Sequence, residues 1–121
     1  MSLIVAGVII VAAVAILILF RPRPTCKLTL REGKGVGLEF PIHSREASIG
    51  SEEARTVVVS DPRVSGHHAD LVFDEGRVLL RDRSSQGTKV NGVAIKETVL
   101  HSGDLIRLAD SVDLIFTRLR D

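Results

Sequence analysis

Four short polar segments, each beside an apolar run, hold the residues of this sequence that could do chemistry. They are residues 47–51, 61–69, 82–92 and 103–108. Their serine hydroxyls, side-chain amides and arginines can donate hydrogen bonds to a ligand from loops. The chemistry that these residue types indicate is therefore recognition of a bound group.

Catalysis and metal binding find little support in the residue patterns. Nucleophilic catalysis needs a nucleophile beside its base, and acid–base catalysis needs carboxylates at a set spacing. The sequence has no G-x-S-x-G, H-E-x-x-H or P-loop motif. His67 and His68 are adjacent where a predicted strand begins. Adjacent residues in a strand point to opposite faces, so these two side chains cannot easily share one ion. We therefore predict no catalytic residue, no metal site and no cofactor.

The chain from Cys26 onward consists of short runs rich in Val, Leu, Ile and Thr, separated by turn residues. No apolar pattern of period 3.6 lasts for ten residues, whereas Asp74-Glu75-Gly76 and Asn91-Gly92 are strong hairpin signals. The runs are 27–30, 37–42, 46–49, 56–59, 68–73, 78–81, 88–90, 93–94, 98–100, 105–108 and 114–118. About eleven short strands predict an all-β fold of two packed sheets.

An uncharged apolar run of 18 residues begins at Leu3 and ends at Phe20. At about 1.5 Å rise per residue, a helix of this length spans roughly 27 Å, close to the hydrocarbon thickness of a bilayer. A cleaved signal peptide is not favoured, because no Lys or Arg precedes the run and no Ala-x-Ala spacing follows it. We expect one uncleaved transmembrane helix in contact with the lipid bilayer.

The residues that flank this run predict its orientation and the domain boundaries. Arg21, Arg23 and Lys27 all follow it, so the positive-inside tendency places the domain on the cytoplasmic side of the cell membrane. Pro22 and Pro24 break helix geometry and make a short extended spacer. The predicted organisation is a transmembrane anchor at 1–21, a Pro-rich spacer at 22–25 and a β domain at 26–119.

Charge and aromatic content argue against a nucleic-acid partner. Apart from Arg21 and Arg23, 14 of the 16 Lys and Arg residues remain against 15 Asp and Glu residues. This near-neutral balance offers no basic patch, and the chain has four Phe but no Trp or Tyr to stack on bases. We expect a protein partner and no nucleic acid.

The lone Cys26 cannot form an internal disulfide. We interpret it as a half-buried strand residue close to the membrane. Reversible palmitoylation is the alternative, since a cysteine near the bilayer surface is a candidate for that modification.

In their order, the four polar segments resemble the forkhead-associated (FHA) domain, whose pattern runs I-G-R, S-R-x-H-A, S-x-N-G-T-x-V-N-G and G-D-x-I. The matching residues here begin at Ile49, Ser65, Ser84 and Gly103, and the resemblance covers roughly residues 27–118. It implies an FHA-type β-sandwich of eleven strands, here preceded by the transmembrane α-helix. That family binds phosphothreonine peptides through loops at one end.

The resemblance implies a role for each matching position. Ser65 matches the serine whose hydroxyl donates to the phosphate, and Ser85 sits where a Thr or Ser contacts the phosphate or its peptide. His68 matches a histidine that holds the loop by hydrogen bonding. The structural turn positions are Gly50, Gly87, Asn91 and Gly92, with Asn91 bracing the loop.

Three positions depart from the family pattern. Ser51 and Gly66 stand where the family has arginines, and Gln86 replaces the asparagine that reads the peptide backbone. Arg normally recognises phosphate, and a hydrogen bond to a charged group contributes about 1.5–3 kcal/mol, so each lost arginine costs about ten- to hundredfold in affinity. The cations that could compensate are Arg55, Arg63, Arg83 and Lys89, and Arg83 is our preferred replacement.

Two functions remain open. The first is a membrane-tethered adaptor that binds a phosphothreonine peptide and recruits a threonine-phosphorylated cytoplasmic protein. Its predicted contacts are Ser51, Ser65, Arg83, Ser85 and Gln86. The second is a degenerate FHA module that keeps the scaffold and binds an unphosphorylated partner protein at the membrane. Phosphate-dependent binding should vanish on Ser65→Ala or phosphatase treatment, whereas scaffold binding should survive both.

Overall fold

The computed structural model describes residues 24–32 and 35–120. The predicted transmembrane anchor at 1–21 lies outside the described residues, and so do residues 22–23 of the predicted spacer. Within the described ranges, no helix is long and apolar enough to cross a membrane.

The described chain forms eleven β-strands, which confirms the predicted fold class of the domain. The strands are β1 (Cys26–Glu32), β2 (Glu39–Ile42), β3 (Glu46–Gly50), β4 (Val57–Val58), β5 (Ala69–Asp74), β6 (Arg77–Asp82), β7 (Thr88–Val90), β8 (Val93–Ile95), β9 (Glu97–Leu100), β10 (Leu105–Leu108) and β11 (Val112–Arg118). Each predicted run falls on one of these strands, with ends that differ by at most two residues.

The strands form two sheets that pack face to face. The six-stranded sheet has the order β2-β1-β11-β10-β7-β8, and the five-stranded sheet has the order β4-β3-β5-β6-β9. Neighbouring strands pair antiparallel, except that β3 and β4 pair in parallel. An antiparallel sandwich needs only short turns between most strands, which agrees with the Gly- and Asn-rich punctuation of the sequence.

The core lies between the sheets and follows the period-2 alternation of the strands. Leu28 and Phe116 of the six-stranded sheet are fully buried, and so are Ile49, Leu71 and Leu80 of the five-stranded sheet. Burying one such side chain stabilises the fold by about 1.5–3 kcal/mol. The alternation therefore fixes which residues face the core and which face solvent, and this decides where the polar side chains of the next loops can point.

The connections of the sandwich divide between two ends. Ile49 of β3 pairs with Ala69 of β5, which pairs with Asp82 of β6. The loops 51–56, 59–68 and 83–87 therefore meet at one end, which we call the loop end. The chain enters at the opposite end, where the Thr25 amide donates to the carbonyl of Ile42 at 3.0 Å and its carbonyl accepts from the Leu119 amide at 2.9 Å.

Cys26 is fully buried in β1, so the prediction of a half-buried side chain is wrong. The residue lies on the core-facing side of the strand together with Leu28 and Leu30. Burial raises the pKa of the Cys26 thiol to about 11, although the nearby charge of Arg118 acts in the opposite direction. A thiol that is both inaccessible and protonated is a poor nucleophile for acylation.

This environment predicts that Cys26 is inert in the folded chain. The rise of its pKa from an ordinary 9.0 to about 11 leaves on the order of a hundredfold less thiolate in mildly alkaline buffer, before any steric protection. Reaction with a chromogenic disulfide reagent should therefore be at least about a hundredfold slower in the native chain than in urea. Ser85→Cys in a Cys26→Ala background supplies an exposed thiol as the control. Equal rates for Cys26 in the two states would contradict the burial.

Candidate functional site

The loop that follows β3 lies directly against the loop that precedes β5. The Ser51 amide donates to the Ser65 carbonyl at 3.0 Å, and the Glu52 amide donates to the Gly66 carbonyl at 3.3 Å. The Ser51 hydroxyl donates to the Val64 carbonyl at 3.0 Å. These bonds join the two loops like a short extension of the sheet, so that Ser51 and Ser65 become neighbours at the loop end.

Gly50 is required by this close approach. A Cβ atom at Gly50 would clash with the carbonyl oxygen of Gly66 and would lie 2.7 Å from its carbonyl carbon and 3.0 Å from the carbonyl oxygen of Ser65. These are backbone atoms that cannot move without separating the loops. The structural role expected for Gly50 thus has a steric cause, and it does not depend on a positive φ angle.

His68 links two of the loops from inside the protein. The Ser65 amide donates to Nδ1 of the fully buried imidazole at 3.1 Å, and Nε2 lies 2.9 Å from the carbonyl of Gly87. An amide can only donate and a carbonyl can only accept, so the ring must be neutral with its hydrogen on Nε2. Burial lowers the pKa of His68, which favours this neutral form.

The loop between β6 and β7 is organised by Asp82, a residue that the sequence analysis did not single out. Its Oδ1 accepts from the Ser84 amide at 3.0 Å, from the Ser84 hydroxyl at 2.6 Å and from the Thr88 hydroxyl at 2.8 Å. The Ser84 hydroxyl in turn accepts from the Gly87 amide at 2.8 Å. Burial raises the pKa of Asp82, but these hydrogen bonds outweigh it and hold the pKa below its usual value. The pattern Asp-x-Ser after a strand is the signal for such an Asx-type turn.

Three of the predicted contact residues present free groups at the loop end. Ser65 is half-buried, and its hydroxyl makes no hydrogen bond with any described residue, although its amide and carbonyl are both bonded. Ser85 and Gln86 are exposed at the tip of the 83–87 loop, and their side chains likewise have no partner in the described part of the chain. Ser51 differs, because its hydroxyl is already bonded to the loop backbone.

Arg83 lies at the edge of this site and points along the outer face of the five-stranded sheet. Its Nε donates to Asp70 Oδ2 at 3.0 Å, and Asp70 Oδ1 lies 2.6 Å from Nε2 of His67. All three residues line a cleft of about 370 Å³ on that face. The alternation of side chains along β6 explains this direction, because Arg81 and Arg83 alternate with the inward-facing side chains of Leu80 and Asp82.

Each of the other candidate cations also has a carboxylate partner among the described residues. Arg63 pairs with Asp61 at 3.4 Å, and Lys89 pairs with Asp110 at 2.9 Å. Arg55 pairs with Glu52, but the distance between Nη2 and Oε2 is 3.9 Å. Any anion that binds at the loop end must therefore compete with a carboxylate for its cation.

Glu52 is a further residue of the site that the sequence analysis did not identify. Its side chain fills the space beside Gly66, where a Cβ atom would clash with Oε1 and lie 2.8 Å from both Cδ and Cγ. The resemblance places an arginine at position 66 in the family. No sequence signal links positions 52 and 66, because they meet only through the pairing of two loops.

Asn91 and Gly92 serve the turn after β7 and lie away from the loop end. Asn91 Nδ2 donates to Asp104 Oδ1 at 3.0 Å, and its Oδ1 accepts from the Leu105 amide at 3.0 Å. Both residues have positive φ angles, 51° and 84°, as the Asn-Gly pair predicts. Asn91 therefore braces the turn before β10, whereas Gly87, with φ of 95°, serves the 83–87 loop itself.

The described residues contain no group of three or more His, Cys, Asp or Glu side chains that could hold a metal ion. His67 and His68, in the loop before β5, have separate partners, Asp70 and the loop backbone. The geometry of the site is that of a hydrogen-bonding surface made of backbone-fixed hydroxyl and amide groups.

The neutral bridge at His68 predicts that acid destabilises the fold. The pKa of His68 is lowered in the native state. Below the ordinary histidine pKa of 6.5, His68 therefore becomes protonated in the unfolded chain but stays neutral in the folded chain. The contribution of His68 to the free energy of unfolding should therefore be complete above about pH 6.5. As the pH is lowered from there, the free energy of unfolding should decrease by up to about 1.4 kcal/mol per pH unit. Asp82, whose pKa is lowered from an ordinary 3.8, adds its own loss only in stronger acid.

Urea unfolding of the full chain in detergent, followed by circular dichroism at several pH values, measures this slope. His68→Gln should lower stability at neutral pH by about 1–3 kcal/mol and flatten the slope near pH 6, because the titrating group is gone. His43→Gln is the matched control at an exposed position. An unchanged slope in His68→Gln would contradict the neutral bridge.

The sequence of the chain is similar to those of known proteins. Residues 47–109, more than half of the chain, match the FHA domain family. A curated relative, the ABC transporter ATP-binding/permease protein Rv1747 of Mycobacterium tuberculosis, is 38% identical over 88 residues. That match covers 72% of this chain and 10% of the relative, and a match to the M. tuberculosis protein FhaA covers 16% of that protein. The chain thus spans a small part of the curated relatives that it matches.

Solved structures give the same result. A structure from work on phosphothreonine-dependent FHA domain interactions is 29% identical, has a TM-score of 0.68, and the match covers 76% of this chain and 94% of that one. The FhaA FHA domain, crystallised with the intracellular domain of Rv3910, is 29% identical with a TM-score of 0.67, over 75% of this chain and 98% of that one. An FHA domain is a non-catalytic phosphopeptide-binding module, in agreement with the prediction that this chain is not an enzyme. By its sequence match and its eleven-stranded sandwich, the chain belongs to the FHA domain family.

Proposed function

We propose that this chain is a membrane-tethered adaptor that binds threonine-phosphorylated peptides. The loop end of the domain takes the phosphothreonine and its flanking backbone. The apolar segment from Leu3 to Phe20 holds the domain at the cytoplasmic face of the cell membrane. The chain then recruits a phosphorylated cytoplasmic protein to that membrane.

The observation that carries the proposal is the presentation of Ser65. Its amide is bonded to His68 and its carbonyl to Ser51, so the backbone of the residue is fixed on both sides. Its hydroxyl has no partner among the described residues and is free to donate to a ligand. A donor held in place by its own backbone loses little entropy on binding, which is what recognition of a small anion requires.

Ser85 and Gln86 extend this surface toward the peptide. Both are exposed on a loop whose shape is fixed by Asp82 and Ser84, so their positions are set while their side chains remain free. A serine hydroxyl can contact the phosphate or a peptide group. The amide of Gln86 can both donate to and accept from a peptide backbone, like the asparagine that it replaces.

Binding of a phosphate group also needs a cation, and an arginine that is paired with a carboxylate can still supply it. The side chain of Arg83 is 51% exposed in its pair with Asp70. An exposed ion pair contributes about 0–1 kcal/mol, whereas a hydrogen bond from a cation to phosphate contributes about 1.5–3 kcal/mol. A phosphate group can therefore compete for an arginine that now pairs with a carboxylate.

The position of the chain entry supports the tether. Thr25, the residue that leads into β1, lies at the end opposite the loops and is bonded there to Ile42 and Leu119. An anchor that precedes Thr25 would leave the loop end directed away from the membrane. The spacer of Pro22 and Pro24 is short, so the domain would sit close to the bilayer with its binding surface open to the cytoplasm.

The relatives support the class of ligand. One structure with 29% identity comes from work on phosphothreonine-dependent FHA interactions, and EmbR of M. tuberculosis, 26% identical with a TM-score of 0.70, was solved with a low-affinity phosphopeptide. These statements concern those proteins. Their likeness to this chain makes a phosphothreonine peptide the first ligand to test.

A second candidate function is a phosphate-independent scaffold. The observation that favours it is the charge arrangement of the loop end, where Ser51 and Gly66 replace the family arginines and Glu52 lies beside Gly66. In that case the same surface binds an unphosphorylated partner protein through its free amide and hydroxyl groups. The two candidates differ in whether the phosphate contributes to affinity.

Peptide titration distinguishes the two candidates. We expect the full chain in detergent to bind a degenerate phosphothreonine library and not its unphosphorylated twin. Ser65→Ala should weaken phosphorylated binding at least about tenfold, because a hydrogen bond to a charged group is lost. Ser60→Ala, at an exposed serine of the same loop, is the control and should leave affinity unchanged. Equal binding to both libraries, insensitive to Ser65→Ala, would support the scaffold instead.

The tether makes a separate prediction about membrane insertion. The full chain expressed in bacteria should stay in the membrane fraction after alkaline carbonate washing. Replacing Ile10 and Val14 by Arg should release it, because each charge near the helix centre costs about 2.5–3.5 kcal/mol. The same substitutions should leave phosphopeptide affinity unaltered. Wild-type chain in the carbonate supernatant, or degraded by protease added to intact cells, would contradict a cytoplasm-facing anchor.

A further inference from the structure

We infer that Glu52 determines what the loop end accepts: its carboxylate occupies the place of the ligand phosphate beside Gly66, and the ligand must displace it to reach Arg55. The inference rests on the proposed function, since it concerns the phosphate subsite of the same surface. It assigns the missing cation to Arg55, instead of the Arg83 that the sequence favoured.

Glu52 is held at this position by the backbone. Its amide donates to the carbonyl of Gly66 at 3.3 Å, next to the bond between Ser51 and Ser65. The side chain then lies over Gly66, so close that even a Cβ atom there would clash with it. The carboxylate is therefore placed beside Gly66, the residue that follows Ser65, whose free hydroxyl is the proposed phosphate donor.

Arg55 is the cation that this carboxylate covers. The Arg55 side chain is only 21% exposed, and its Nε atom is buried without a hydrogen-bond partner among the described residues. The Glu52 side chain is 58% exposed, and its oxygen lies 3.9 Å from the guanidinium, too far for a hydrogen bond. Arg55 is thus held by packing, whereas the carboxylate of Glu52 is held only by a long, solvent-exposed attraction.

This asymmetry decides which partner moves. The Arg55 guanidinium, whose Nη2 lies 3.9 Å from the Glu52 carboxylate, gains from a closer acceptor, and a phosphate offers three strong acceptor oxygens. The exposed carboxylate can turn into solvent without breaking a hydrogen bond. Until it does, two negative groups would share one site, so the carboxylate lowers the affinity for phosphate by repulsion.

Gly66 and Glu52 form a matched pair. An arginine at position 66 would need the space that the Glu52 side chain occupies, so the two side chains cannot both fit while Glu52 keeps its present position. The absence of a cation at position 66 and the presence of an anion at position 52 are therefore linked, because each allows the other. Together they convert an open phosphate subsite into one that is covered by a side chain of the protein.

The test compares Glu52→Gln with wild type in the full chain in detergent, using the degenerate phosphothreonine library and its unphosphorylated twin as probes. Glutamine keeps the shape of glutamate and removes its charge. We expect Glu52→Gln to raise affinity for the phosphorylated library about ten- to hundredfold, with no change for the twin. Glu53→Gln, at the neighbouring exposed glutamate, is the matched control and should stay within about twofold. Adding Arg55→Gln to Glu52→Gln should abolish the gain.

A second measurement examines the contact without any ligand. Gly66→Ala should lower the melting temperature of the wild-type chain because of the clash with Glu52, and Glu52→Ala should remove most of that loss. Equal losses in both backgrounds would mean that Glu52 does not lie over Gly66, and would overturn the inference on structural grounds. This readout remains informative if a variant binds no peptide.

The outcomes separate the inference from the proposed function. Phosphate-selective binding by wild type with no gain in Glu52→Gln overturns the inference and leaves the proposed function standing. Selective binding that appears only in Glu52→Gln supports the inference and removes phosphothreonine binding as the function of the wild-type chain. No selective binding by either chain overturns both. A gain that persists in the double variant overturns the assignment to Arg55.

Discussion

The loop end depends on one neutral imidazole. His68 accepts a hydrogen bond from the Ser65 amide and donates one to the Gly87 carbonyl, and so joins the loop before β5 to the loop after β6. A lysine or a charged histidine could not make both bonds, because the amide of Ser65 needs an acceptor. The core of the sandwich supplies the burial that keeps the ring neutral, and the ring in turn fixes the backbone of Ser65. Stability and ligand presentation are thus two consequences of the same contact.

The fold could be predicted almost completely from local patterns, and the misplaced strand ends have physical causes. Turn residues such as Asn91 and Gly92 carry their own backbone preference, so hairpins are visible in the sequence. β11 begins two residues earlier than predicted, at Val112, because Asp113 interrupts the apolar run and hides its start. That carboxylate is nearly buried and lies 3.7 Å from Arg107 on the neighbouring strand, a pairing that local pattern cannot reveal. Strand ends are set by the neighbouring strand as well as by the residue itself.

The site was less predictable because its charges meet across loops. Family motifs identified Ser65, His68 and Gly50, whose roles follow from backbone geometry that the motif and the fold share. The direction of Arg83 could have been found by extending the alternation of β6 beyond its last residue, which places this side chain beside Asp70. The contact between Glu52 and Gly66 had no such signal, since it depends on how two irregular loops pair. The sequence therefore predicts the backbone arrangement of the site better than the pairing of its charges.

The motif residues fix the backbone of the loops and do not supply the charges, so an intact motif does not by itself predict phosphate binding. Gly50 and His68 are needed for the loops to pack, whatever the loops bind, because replacing either would create a backbone clash or leave buried groups unsatisfied. Their presence therefore reports on the fold. In the proposed site, affinity for phosphate depends instead on charged side chains at the loop end. Ser51 in place of the family arginine costs the fold little and the ligand much. In the proposed site, the ligand preference turns on the balance between Arg55 and the carboxylate of Glu52, which lies beside Gly66.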